Sequence, residues 1–380
     1  MTLLAALSLL AWLYLCLFHV KFWHSDQVLN VEIVNRENLS AIVCVIPARD
    51  EAESIGRTVR SLLDQDYLGD VHIIVVDDNS TDGTADAARA VLNGDDEAKR
   101  LTIIDGTPLA DGWAGKMWAV KQGVDAAATH GAVYILLTDA DIEHAADSLS
   151  KLVAKADAER LGLVSQMVRL RCKSAWERFL IPAFVYFFQK LYPFPRVNNP
   201  TDRMAAAAGG CMLVHAETLA AAGGIAAIHD RIIDDCALAR LIKPHRPVWL
   251  GLARETHSLR TYDDLAEIWR MVTRTAYVQL NHSPLLLAGT LVGMLILYLA
   301  PPLAVAAGLL TGNPTVASLG AAAWLVMAWT YLPTLDLYRL NALWALSLPF
   351  AGVVYTLITL DSARRHYMGQ GGAWKGRTYS

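Results

Sequence analysis

Four uncharged apolar stretches, one at the start of the chain and three near its end, bracket a middle section in which charges return, and no other feature limits the fold as much. Residues 1–20, 285–310, 315–335 and 342–360 contain no charged side chain. A bilayer core of roughly 30 Å needs about 20 helical residues at 1.5 Å each, so each stretch has about the length of a membrane-crossing helix. Hydrophobic residues make up 54% of the 380 and charged ones only 18%, with a mean hydropathy of +0.30. That is too apolar for an ordinary soluble protein of this size. The net charge of -4 carries no basic excess, so a nucleic-acid partner is not expected. Cys16, Cys44, Cys172, Cys211 and Cys236 are scattered without Cys-x-x-Cys spacing, which indicates neither a disulfide framework nor a zinc site but reduced packing residues.

Residues 1–20 are expected to remain as an anchor. A cleaved signal peptide would carry a basic segment before the apolar run and small residues after it, whereas Lys21, Phe22, Trp23 and His24 follow here. One span before the domain and three after it would put both chain ends on one side. Yet the tail, residues 362–380, carries Arg364, Arg365, Lys375 and Arg377, which favour the cytoplasm, while the first residues carry no charge. One of the last three stretches is therefore expected to fail to cross, and Pro301-Pro302 marks the first of them as the candidate for a broken or re-entrant segment. The expected division is an anchor at 1–20, a catalytic-type domain at 40–283, a membrane region of two or three spans at 284–361 and the basic tail. Within the domain, residues 176–195 concentrate Trp, Phe and Tyr between Arg178 and Lys190. Their apolar stretch is too short to cross, so an interfacial segment with its aromatics toward lipid is expected, a buried core helix being the alternative.

Residues 41–47 (AIVCVIP) read as a buried strand, followed by a polar turn and by Ile55, Val59, Leu62 and Leu63 at helical spacing. The alternation continues with strands at 71–76, 101–104 and 133–138 and a capped helix at 84–92. Strands separated by helices predict a mostly parallel α/β sheet, whose ligands bind beyond the carboxyl ends of the strands. No Gly-x-Gly-x-x-Gly follows the first strand and no P-loop occurs, so the usual dinucleotide and P-loop readings lose their support.

The acidic motifs fall at the strand ends in a fixed order: PARDE at 47–51, VDDNSTDGT at 76–84, TDAD at 138–141, Gly209-Gly210 and Asp234-Asp235. Together they resemble family 2 glycosyltransferases of the GT-A fold over roughly residues 40–280. GWAGKMWA at 112–119, between the anchor and the later spans, looks most like the hopene-associated, hopanoid-pathway branch. The fold this implies is a GT-A α/β domain with N-terminal and C-terminal transmembrane helices.

Two carboxylates spaced two apart after a strand, Asp139 and Asp141, point to one side of an extended backbone and suit a hard cation; an acidic turn or helix cap is the competing reading. The resemblance assigns them to Mg2+ or Mn2+ on the diphosphate of a nucleotide-sugar donor, UDP-linked by expectation. It places Pro47, Arg49, Asp50, Glu51, Asp77 and above all Asp78 around the nucleotide, with Lys116 on a phosphate. Asn79, Ser80 and Asp82 read instead as an Asx-rich turn. Asp235 matches the second acidic position of the family's Glu/Asp-Asp motif, the catalytic base of an inverting transferase, while Asp234, Gly209 and Gly210 are expected at the acceptor. The Gln-x-x-Arg-Trp motif of processive members is absent, so polymer synthesis is not favoured, but Arg274 or Arg260 suits the diphosphate. His257, a lone histidine, reads first as structural and second as an added metal ligand. The implied protein is a multi-pass enzyme of the cytoplasmic membrane, catalytic domain in the cytoplasm, glycosylating a lipid, a hopanoid by the narrower resemblance. Polyprenyl phosphate, a ceramide-like lipid and a carotenoid are the alternative acceptors; a scaffold that kept the fold without catalysis would not need Asp139, Asp141 and Asp235 together.

Overall fold

The computed structural model describes residues 1–31 and 39–370 together with the short strands Ala373–Trp374 and Arg377–Thr378; Lys375 of the basic tail lies outside the described residues. The middle of the chain forms an eight-stranded sheet from β1 (Ile42–Ala48), β2 (Val71–Asp77), β3 (Leu101–Asp105), β4 (Tyr134–Thr138), β5 (Ile142–Glu143), β6 (Leu163–Arg169), β7 (Cys211–His215) and β8 (Val248–Ser258), in the order β3-β2-β1-β4-β7-β6-β8-β5. β3, β2, β1 and β4 are parallel, as the sequence alternation predicts. The other half is mixed: β7 runs antiparallel to both β4 and β6, and β5 runs antiparallel to β8. The expectation of a mostly parallel sheet is corrected to this extent, because β6, β7 and β8 are not joined by the simple strand-helix alternation of the first half.

Every residue of β1 is buried, so its continuous β-branched run is what a central strand covered on both faces requires. Pro47 can sit in so central a strand because β1 pairs with β4 only from Ile42 to Val45, leaving Pro47 beyond that ladder. Helices α2 (Ile55–Leu63), α3 (Thr84–Arg89), α4 (Gly115–Ala127), α5 (Ser148–Glu159), α6 (Ala175–Leu191), α7 (Asp234–Ile242) and α8 (Leu265–Thr273) complete the domain, with α1 (Thr2–Phe18) preceding it. Gly123 of α4 lies on β1, where a Cβ would come within 2.3 Å of Val45 Cγ1 and 3.1 Å of Val76 Cγ2. Gly123→Ala is expected to lower stability by about 1–3 kcal/mol through overpacking, measured as a lower unfolding temperature of the detergent-solubilised protein; an unchanged midpoint would refute the contact.

Three helices are long and apolar enough to cross a membrane by length and composition: Pro284–Leu310, Pro314–Leu337 and Ala342–Tyr367. We name the first α9, the second α10, and the α-helical part of the third, Leu348–Tyr367, α11; the 3-10 turn Ala342–Ser347 precedes α11. Pro301-Pro302 does not break α9. A π-helical segment at Leu295–Leu299 carries the chain into the turn that starts at Ala300, where a proline's missing N–H costs little. α1, at 17 residues, is an apolar helix shorter than those three, laid against α9 and α10. Trp12 Nε1 donates to Leu297 O at 2.7 Å.

The aromatic segment belongs to α6, whose start is fixed by a capping box: Glu177 N–H donates to Ser174 Oγ, and Glu177 accepts from Ser174 N–H. Tyr186 and Phe187 face protein, while Trp176 at the helix start is exposed. The Phe187 ring lies 5.3 Å from Tyr298 and 5.1 Å from Tyr355, edge-on to both, and Tyr186 donates to or accepts from Thr330 at 2.7 Å. These side chains therefore pack α6 against α9, α10 and α11, where the sequence reading had turned them toward lipid. The two faces of the sheet carry separate cores, and the face bearing α4, α6 and α7 is continuous with the packing of the C-terminal helices.

Candidate active site

The antiparallel β7 is what gathers the acidic motifs. Thr138, the last residue of β4, pairs with Cys211, the first of β7, and its Oγ1 donates to Gly210 O at 2.8 Å. This sets Asp139 and the glycine pair on adjacent strand ends. Gly209 N–H in turn donates to Asp235 Oδ2 at 3.1 Å, and Cys236 N–H donates to Asp235 Oδ1 at 2.6 Å, so the first turn of α7 is aimed by the backbone beside β7. Gly209 thus holds Asp235, while Gly210 ties the turn to β4 through Thr138. Lys116, near the start of α4, reaches Asp139 Oδ1 at 2.8 Å and Asp234 Oδ2 at 3.2 Å. Burial works against its charge, but the two carboxylates together outweigh burial and hold its pKa above the ordinary value.

Asp141 belongs to a second cluster. Its Oδ2 accepts from Ser258 Oγ at 3.2 Å and from Arg260 Nε at 3.1 Å, and Arg260 also donates to Glu51 Oε1 at 2.7 Å. The two-residue strand β5, paired with the end of β8, brings Arg260 there. Of the two arginines the sequence offers for the diphosphate, Arg260 is in the site; Arg274 is exposed at the end of α8 and makes no ion pair among the described residues. His257 pairs with Glu143 at 3.1 Å and so stands with that edge strand.

The nucleotide-side loops are knitted to one another. Thr81 N–H donates to Asp50 Oδ1 at 2.9 Å, Glu51 N–H donates to Thr84 Oγ1 at 2.9 Å, and Ser80 N–H donates to Asp77 Oδ1 at 2.9 Å, the Asx turn expected of this stretch. Asp78 is fully buried, with Arg49 donating to its backbone oxygen at 2.6 Å and lying 3.6 Å from its carboxylate. The Asp78 carboxylate favoured from the sequence is thus less accessible than Arg49 or Asp77, which are half-buried. Pro47, Lys116, Asp139, Gly209 and Asp234 share one pocket, whose apolar wall includes Met212, Ile225, Ile228 and Leu238. Sequence reasoning missed this wall and Ser258, since isolated apolar side chains and a lone serine carry no spacing signal.

Glu51, Asp139, Asp141, Asp234 and Asp235 gather around Lys116 and Arg260, a carboxylate-rich cluster. Such a cluster suits a divalent cation, and Asp139 and Asp141 supply hard oxygens for it. Among the described residues no three His, Cys, Asp or Glu side chains form a ready-made metal site, so phosphate oxygens would have to complete the shell. Burial, and after it the neighbouring Asp234, push Asp235 up to about 6. A base must be deprotonated to act, so kcat/KM is expected to fall about tenfold per pH unit below that value. A pH profile flat down to pH 5 would remove Asp235 from that role.

This is an α/β domain with a carboxylate-rich cleft at its strand ends. Residues 43–221, just under half of the chain, match the sequence model of Glycosyl transferase family 2, on the mixed α/β sheet described above. The 4,4'-diaponeurosporenoate glycosyltransferase of Staphylococcus aureus (strain MRSA252) is 38% identical over 106 residues, 28% of this chain and 25% of that one. The chain thus spans about a quarter of the length of the curated relatives it matches. Among solved structures, the mannosyltransferase PcManGT from Pyrobaculum calidifontis, in complex with GDP-Man and Mn2+, is similar at 18% identity and a TM-score of 0.48, covering 93% of this chain and 99% of that one. S. aureus TarS 1–349 with UDP-GlcNAc is similar over 62% of this chain and 66% of that one, at 12% identity and a TM-score of 0.37.

Proposed function

We propose that this chain is an inverting glycosyltransferase that moves a sugar from a nucleoside-diphosphate donor to a lipid acceptor at the cytoplasmic face of the membrane. The observation that carries the reading is the single cleft in which Asp139, Lys116, Gly209 and Asp234 line one pocket beside Asp235, in a domain whose core runs into apolar helices. Asp139 and Asp141 would hold Mg2+ or Mn2+, which, when bound, neutralises charge growing on the departing diphosphate. Lys116 and Arg260 stand beside the same carboxylates, and as cations they would suit the charge of that diphosphate. Asp235 takes the proton from the acceptor hydroxyl as its oxygen bonds to the anomeric carbon and the bond to the diphosphate oxygen breaks. The proton ends on Asp235 and the electron pair on the diphosphate.

For the acceptor we favour a hopanoid, on the resemblance of GWAGKMWA and the helices flanking the domain. A carotenoid is the second reading, favoured by the named activity of the S. aureus relative. Membranes carrying the protein, supplied with UDP- or GDP-hexoses and with separated hopanoid or carotenoid fractions, should yield a lipid heavier by one sugar, read by mass spectrometry. Absence of any lipid glycoside with every donor would refute the proposal; a sugar on the carotenoid alone would select the second reading.

A further inference from the structure

The apolar helices mark one another's depth. α1 and α9 run antiparallel, Ala5 packing near Ala304 and Trp12 bonding Leu297. α9 and α10 are antiparallel as well: a Cβ on Gly308 would touch Ala317, and one on Gly320 would touch Ala304. Residues 311–313 therefore lie at the end far from the sheet domain. The opposite end lies at the domain, where Tyr277 and His282 precede α9 and Tyr338, just past α10, lies beside the backbone of Leu170 at the end of β6.

From Tyr338 the chain turns back along α10. Trp324 Nε1 donates to Leu346 O at 3.2 Å, and the Phe350 ring centre is 6.3 Å from that of Trp324, so the start of α11 is level with the middle of α10. A Cβ on Gly352 would lie 2.8 Å from Tyr298, level with the middle of α9. α11 then returns to the domain. Trp269 Nε1 donates to Asp361 at 2.9 Å, Ser362 Oγ donates to Thr273 O at 2.5 Å, and His366 stacks on His282 at 4.1 Å. Leu348 to Asp361 covers about 20 Å at 1.5 Å per residue, short of the roughly 30 Å of a bilayer core. Leu343 and Leu346 of the preceding turn and Phe350 and Leu357 of this segment are exposed and apolar, and Arg364 and Arg365 close it on Asp361.

We propose that residues 338–367 are a re-entrant hairpin that enters and leaves the membrane on the side of the catalytic domain, its partner being the acyl chains of that leaflet. The crossings are then α1, α9 and α10. Met1 falls on the far side, and Arg364 and Arg365 fall on the domain side, in keeping with a cytoplasmic location for basic residues. This resolves the parity conflict in the charge pattern, and the non-crossing stretch is the last one, not the one with Pro301-Pro302.

The inference rests on the proposed membrane location, and labelling separates the two. In a Cys172→Ser background, where the other native cysteines are buried, single variants Thr315→Cys, Asn341→Cys, Leu346→Cys and Gln370→Cys are treated with a membrane-impermeant maleimide in right-side-out and inside-out vesicles. Asn341→Cys and Gln370→Cys should label from one side, Thr315→Cys from the other, and Leu346→Cys from neither. Gln370→Cys labelling with Thr315→Cys from the far side would overturn the hairpin. Thr315→Cys labelling from the same side as Asn341→Cys would instead mean that α10 does not cross. A reporter fused after residue 380 gives the same sidedness without any cysteine, should a variant fail to fold.

Discussion

Asp235→Asn should bind donor normally and transfer sugar roughly 10²–10⁴ times more slowly, the usual worth of a general base. Asparagine keeps the shape, and its one oxygen can still accept the Gly209 N–H now 3.1 Å from Asp235 Oδ2 while the Cys236 N–H bond to Oδ1 is lost, so the glycine turn should stay in place. What is lost is the capacity to take a proton. The measurement is a single-turnover transfer rate beside a donor binding constant. Equal losses in both would mean a structural role, and a near-normal rate would move the base elsewhere. The acceptor also enters: an acceptor that presents a carboxylate arrives without a proton to remove. A large loss with a hydroxyl lipid and a small one with a carboxylate lipid is therefore the expected pattern.

Asp141→Ala should lower transfer by at least about a hundredfold, since several kcal/mol of charge stabilisation on the leaving diphosphate would go and each 1.36 kcal/mol is a factor of ten. It should also abolish any difference in donor affinity between Mn2+ and EDTA. The variant frees Arg260 from one of its two carboxylates, leaving Glu51 at 2.7 Å to hold it. Donor affinity in EDTA should consequently survive. Wild-type turnover in the variant, or full wild-type activity in excess EDTA, would exclude the metal role.

The parallel half of the sheet was legible because its strands are short apolar runs set between polar turns and helical periodicity. The strands β6, β7 and β8 were not, because β7 reaches its place beside β4 from a distant part of the chain and its five residues carry no signal of direction. The site divides the same way. Asp139, Asp141 and Asp235 are candidates by motif order alone, whereas Arg260 and Arg274 were equal candidates in the sequence and only Arg260 is paired, with Asp141 and Glu51, among the described residues. Asp78 shows what local sequence does not carry: an acidic residue at a strand end suggests a ligand, and its burial beside Arg49 is set by the fold. In α6 the aromatic density signalled contact with something apolar, and local sequence does not distinguish lipid from neighbouring helices.

The bridge of Lys116 between Asp139 and Asp234 bears on the order in which partners arrive. An ammonium group already sits where a free divalent ion would look for its first oxygen, and Arg260 does the same at Asp141. A bare ion must displace a tethered cation at each carboxylate and gains little by it. An ion carried in on a diphosphate brings phosphate oxygens that give those cations somewhere to go. Titration with Mn2+ alone should accordingly release almost no heat, while Mn2+ and nucleoside diphosphate added together should bind with strong positive cooperativity, and the kinetics should follow the concentration of the metal-nucleotide complex rather than that of either component.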